Sequence, residues 1–235
     1  MQAAGLRHSE GVFALSKRRL KFSKLGMGKY ISHLDLLRTF TRAIHRAELP
    51  VRYSQGFNPH QLITFSLPLP IGVTSETEFV DIDFEDSADN REIIRRLNEN
   101  LPPDIRILGA SEPAKSANDI VAASYSVHLE AENGINPEKT KEFFCLENIP
   151  ALKKTKKGEK EINVKEYIKK WEITKSEGGI LEMDITLSAG GSANIKPEIL
   201  LKKLAEFLGI EEFSAADVHR TRIFCSVGDK TEIFC

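Results

Sequence analysis

Cysteine is scarce in this chain: Cys145, Cys225 and Cys235 are odd in number, far apart and form no C-x-x-C pair. A disulfide framework, a zinc centre or an iron–sulfur cluster held by this chain alone is therefore not expected; free thiols in a reducing compartment are. Long apolar runs are also missing, and none approaches the roughly 18 residues that a bilayer-spanning helix needs. Residues 1–18 mix Arg7, His8 and Glu10 with short apolar pieces and hold no secretory hydrophobic core. They read as a loosely held extension of a cytoplasmic protein with no membrane partner.

What is present suits a globular protein. Hydrophobic residues make up 41% of the 235 and charged residues 29%, enough for one large domain or two small ones. The net charge of −1 hides an asymmetry: residues 17–60 hold ten Lys or Arg against Asp35 and Glu48, and residues 74–104 hold ten acids against three arginines. A second basic run places nine lysines between residues 153 and 175. Such asymmetry speaks to partners rather than to fold.

Periodicity predicts strands at 19–24, 62–67, 78–84 and 105–108, with helices at 33–47 and 89–100. Ser32 is placed to cap the first helix and Asp35 to favour its dipole, with Leu34, Leu37, Ile44 and Thr41 expected on its buried face. Strand, helix, strand, strand, helix, strand is the order of a ferredoxin-like split βαβ unit. After a linker at 111–124 the order partly repeats, with strands at 125–130, 180–187 and 218–225 and helices at 137–146 and 196–208. The expected fold class is α+β, with two ferredoxin-like subdomains at 19–110 and 125–235, the second more decorated.

Three features could carry chemistry. Arg38, Arg42 and Arg46 recur at i+4 and form a stripe on the first helix, with Cβ atoms about 6 Å apart, near the spacing of phosphates on a single strand. Arginine grips phosphate or carboxylate through two parallel hydrogen bonds. The alternative is an internal network with Asp35, Glu48, Asp81 or Asp83. The loop that follows adds Arg52, Tyr53, Gln55, Phe57, Asn58 and His60, the stacking, charged and amide groups that single-stranded nucleic acid requires. Tyr53 and Phe57 could instead seal the core, with Gly56 supplying an unusual backbone angle. His33 and His60 are candidate general acids or bases for RNA cleavage, against a structural role.

Weaker signals lie later. Gly190, Gly191 and Ser192 lead through Lys196 into a helix and could hold an anion on free N–H groups, but no G-K-[ST] follows the glycines, and a turn capped by Ser192 or Asn194, with Pro197 near the first helical turn, explains them as well. The lysines at 153–157 could form a basic hairpin tip, and Arg220 and Arg222 could share a strand face, ion-paired or turned to a ligand. No metal site is expected.

Residues 30–38, continuing through Arg42-Ala43 and residues 46–50, together with 53–60, 67–72 and 75–78, resemble the uncharacterised bacterial radical S-adenosylmethionine-associated domain. The resemblance implies a shared pathway with a radical S-adenosylmethionine enzyme and RNA-related substrates. No C-x-x-x-C-x-x-C motif is present, so the iron–sulfur cluster and S-adenosylmethionine would be held by a separate partner enzyme and no cofactor by this chain. Three functions fit: an accessory module presenting RNA or another anionic substrate to that enzyme, a metal-independent endoribonuclease using His33 or His60, or a protein–protein adaptor.

Overall fold

Caps and apolar periodicity account for the first half of the chain. The computed structural model describes residues 16–85, 89–155, 158–191 and 193–235. Strand β1 (Ser16–Lys24) leads through a short 3-10 turn to helix α1 (His33–Arg46), followed by β2 (Ile63–Phe65), β3 (Val73–Phe84), α2 (Asn90–Asn100) and β4 (Ile105–Ser111). Because β1 starts at Ser16, residues 16–18 lie in the sheet and not in an extension; the rest of that expected segment falls outside the described residues. Ser32 caps α1 by accepting from the Asp35 N–H at 3.2 Å, and Asp89 caps α2 through the Arg91 N–H.

The buried face of α1 is Leu36, Phe40, Ala43 and Ile44. Of the expected face only Ile44 is buried; Leu34 is 63% exposed, and Leu37 and Thr41 are half-buried, so the face is rotated from the expected one. Leucines at 34, 36 and 37 leave the phase open, and Phe40 decides it, packing edge-on against Phe22 and Phe65 at ring distances of 5.2 and 5.4 Å. On α2, where spacing predicts Ile93, Ile94 and Leu97 to face inward, Ile93 and Leu97 are buried and Ile94 is half-buried.

The second half comprises β5 (Ile120–Glu130), α3 (Pro137–Cys145), β6 (Pro150–Thr155), β7 (Gly158–Asn163), β8 (Ile168–Glu177), β9 (Ile180–Ser188), α4 (Pro197–Leu208), β10 (Ala215–Val227) and β11 (Lys230–Ile233). The expected linker is shorter than residues 111–124, since β4 runs to Ser111 and β5 begins at Ile120. Strands β6 and β7 form a separate hairpin, and the remaining nine build one sheet in the order β4-β1-β3-β10-β5-β9-β8, with β2 also beside β3 and β11 beside β10. All its pairings are antiparallel except β3 with β10, where residues 73–75 run parallel to 218–220. The fold is mixed α+β: a large mixed sheet with few helices.

Two hydrophobic cores flank that parallel junction. One gathers Leu20, Phe22, Phe40, Val80, Ile82 and Leu97, the other Val127, Phe143, Phe144, Leu181, Leu187 and Leu204. Burying each such side chain contributes about 1.5–3 kcal/mol. Between them Arg220 on β10 reaches Glu78 on β3, with Nη1 3.0 Å from both carboxylate oxygens. The same nitrogen donates to the Leu67 carbonyl at 3.1 Å. A bulge between Arg220 and Arg222 leaves Arg222 exposed, so the two do not share an environment. Among the described residues no helix is long and apolar enough to cross a membrane.

Candidate functional site

The phase of α1 determines which arginines face outward. Each step of four residues rotates the helix by about 40°, so Arg38 and Arg42 both point away from the buried face and Arg46 turns toward the boundary with α2. Arg38 donates to Asp35 at 2.9 Å, yet its side chain stays 66% exposed. The Asp35 carboxyl sits below its ordinary pKa, held there first by the Ser32 hydroxyl and then by Arg38. Arg42 is exposed and makes no hydrogen bond or ion pair among the described residues. Arg46 instead donates to the Asn100 carbonyl at the end of α2, and so docks the two helices. Arg42 and Arg46, with Thr39 and residues 99–102, line a cleft of about 430 Å³.

The expected internal network is therefore partial. It takes up Arg38 loosely, Arg46 through a carbonyl, and Arg52 at 3.8 Å from Asp83. Asp83 also receives Lys17 at 3.5 Å, and Asp81 is held by Arg19 in two hydrogen bonds of 2.8 and 2.9 Å. These pairs neutralise Asp81 and Asp83 without using Arg42.

The loop after α1 has a fixed neck and an open tip. Arg52 N–H donates to the Asp83 carbonyl and Leu62 N–H to the Arg52 carbonyl, at 2.8 and 2.9 Å. Tyr53 bridges Gln61, whose amide donates to the Tyr53 hydroxyl at 3.3 Å. Ser54 Oγ lies 2.8 Å from His60 Nδ1 and accepts the His60 N–H at 3.1 Å. Gly56, at φ +129°, turns the tip. Beyond the neck Gln55, Phe57 and Asn58 all face solvent. Phe57 is 106% exposed and Tyr53 46%, so Phe57 does not seal the core.

The two histidines stand apart in role. His33 packs edge-on against Phe65 with ring centroids 5.3 Å apart, and His60 serves the loop neck.

At the second glycine-rich segment, Gly190 has φ +100° and runs so close to the Ile120 carbonyl that a Cβ would lie 2.0 Å from its oxygen. That contact requires glycine there without any anion. Lys196, and not Ser192 or Asn194, occupies the N-cap position of α4; it is exposed and makes no side-chain cap bond, and Pro197 follows in the first turn. Ser192 lies outside the described residues, as do Lys156 and Lys157 of the basic run. Lys153 bonds the Asn194 carbonyl and sits 5.5 Å from the Tyr167 ring centroid.

Sequence reasoning missed Lys24. Its buried ammonium donates to the carbonyls of Ile31 at 2.8 Å and Lys29 at 3.4 Å, fixing the turn that launches α1. Burial pulls its pKa down. A lysine between serine and leucine at a strand end carries no signal of this in the sequence.

Residues 17–197 match the family described as "Uncharacterized protein conserved in bacteria (DUF2344)". The chain belongs to this family. The match spans both the arginine helix and the exposed loop. No curated protein matches the chain. Solved structures similar in shape include a Cbf5-Nop10-Gar1 complex, at 10% identity and TM-score 0.49, covering 88% of this chain and 48% of that one. Another is the archaeal box H/ACA sRNP Nop10-Cbf5 complex, at 10% identity and TM-score 0.48, covering 87% and 47%. The chain spans about half the length of these matched chains.

Proposed function

We propose that this chain is a binding module for single-stranded RNA that presents its substrate to a separate radical S-adenosylmethionine enzyme. The observation that carries the RNA reading is Phe57, a phenylalanine wholly in water at the tip of a loop whose neck is pinned by the Tyr53–Gln61 bridge and the Ser54–His60 bonds. A ring held out in this way is ready to stack on an unpaired base. Gln55 and Asn58 beside it offer amides for base edges, and Arg42, Arg38 and Arg52 offer charge for phosphates. The partner enzyme is inferred from the family resemblance alone, and it would carry the iron–sulfur cluster and S-adenosylmethionine. In this reading the orders β4-β1-β3-β2 and β10-β5-β9-β8 are two ferredoxin-like units, corresponding to residues 19–110 and 125–235.

Fluorescence anisotropy with labelled single-stranded and duplex RNA tests the proposal. Single strands should bind and duplexes of the same length much more weakly, because paired bases are closed to stacking. Phe57→Ala should lose about 1–3 kcal/mol of single-strand affinity with no change in thermal stability. Equal binding of both RNAs, or an unaffected Phe57→Ala variant, contradicts it.

A further inference from the structure

A groove of about 1500 Å³ opens along α4, bounded by residues 70–73, 131–136 and 209–216. Its floor is apolar: Leu201 and Val218 form the buried base, and Ile210 and Phe213 are partly exposed above it. The lining also holds five acids, Glu132, Glu198, Glu206, Glu211 and Glu212, against Lys139 and Lys202. Among the described residues only Glu206 of these is engaged, with Lys203 at 2.7 Å. The other four make no hydrogen bond or ion pair among the described residues.

The backbone adds to this field. Helix α4 ends at Leu208 and Gly209, both in the groove lining, and its last turn carries no basic residue. The negative end of the helix dipole therefore opens onto the same space, where it favours cations.

We propose that this groove docks a cationic amphipathic segment of another protein, with apolar side chains over Leu201, Ile210 and Phe213 and basic side chains at the glutamates. Carboxylates repel phosphate, which disfavours nucleic acid here. The arginine face of a second copy would match in sign, but such a head-to-tail contact generates open chains unless its rotation closes, so a separate protein is the occupant assigned.

Anisotropy with a labelled Leu/Lys amphipathic peptide, and a Leu/Glu peptide of equal length as control, tests this on the full chain. The cationic peptide should bind at least about tenfold more tightly than the acidic one, because charge complementarity at a rim selects partners. Glu211→Lys with Glu212→Lys should weaken it by about tenfold or more, and Glu172→Lys on β8 should not. All three positions are exposed, so these variants should keep the wild-type melting temperature. Single-stranded RNA affinity should be unchanged in the double variant, which separates failure of this site from failure of the RNA face. Indifference to peptide charge, or equal weakening by Glu172→Lys, overturns the proposal. Concentration-dependent self-association abolished by the double variant would also overturn it, by making a second copy the occupant.

Discussion

Arg220 and Glu78 are both almost wholly buried, at 2% and 4% side-chain exposure. The Arg220 charge is tolerable in the interior because Glu78, the Leu67 carbonyl and the Tyr125 hydroxyl at 3.4 Å accept from it, and the Glu78 charge because Arg220 donates to both its oxygens. Removing one partner leaves the other uncompensated. Arg220→Ala should therefore lower unfolding stability by about 3–5 kcal/mol, measured by urea denaturation, whereas joint replacement by Met and Leu should lose far less. Equal losses would contradict the pairing argument. Glu78 closes one of the stretches that carry the family resemblance, and Leu67 opens another. The geometry explains both as parts of a staple between β3 and β10. Nothing in the sequence joined Arg220 to Glu78, because 142 residues separate them.

At the scale of elements, caps and strand alternation were legible, since they depend on neighbours within a few residues. Ser32, Asp35 and Pro197 occupy the positions their chemistry predicts. The rotation of α1 was not legible, because it depends on where Phe40 finds Phe22 and Phe65 across the sheet. That rotation brings Arg46 to the Asn100 carbonyl and leaves Arg42 exposed, with no hydrogen bond or ion pair among the described residues. The outer edge of β4 is covered by side chains of α2. Asn98 on α2 donates to the Ile107 carbonyl at 3.0 Å and accepts the Ile107 N–H at 2.8 Å, standing in for a missing strand. Asn90 covers the Ala110 carbonyl at 3.1 Å. Unpaired edges invite pairing with other chains. Asn98→Ala should cost about 1–3 kcal/mol of stability and raise self-association in sedimentation velocity. A variant that stays monomeric and fully stable would show that the edge needs no cover.

Across the whole molecule, the split into a basic first stretch, an acidic second and a lysine-rich third was plain in the composition, and the structure gives each a different fate. The acids of β3 are largely consumed by Lys17, Arg19, Arg52 and Arg220. Lys169, Lys170 and Lys175 stand exposed on β8, at the edge of the sheet, where charge discourages edge pairing. The arginines of α1 are not consumed in the same way. The joining of the two halves into one sheet was hidden, because the parallel contact of residues 73–75 with 218–220 has no local signature. The acidic groove along α4 was hidden for the same reason, its lining drawn from segments near residues 70, 132, 205 and 216.

If the exposed Arg42 guanidinium and the unburied Phe57 ring act together on a polyanion, the decisive measurement is the salt dependence of single-stranded RNA affinity. With Arg38, Arg42 and Arg52 each meeting a phosphate, log affinity should fall linearly with log salt at a slope of about −2. Arg42→Glu should flatten that slope by about one unit or less while leaving the fold intact. A wild-type slope near zero, or a slope that Arg42→Glu leaves untouched, would contradict the assignment of this face to RNA.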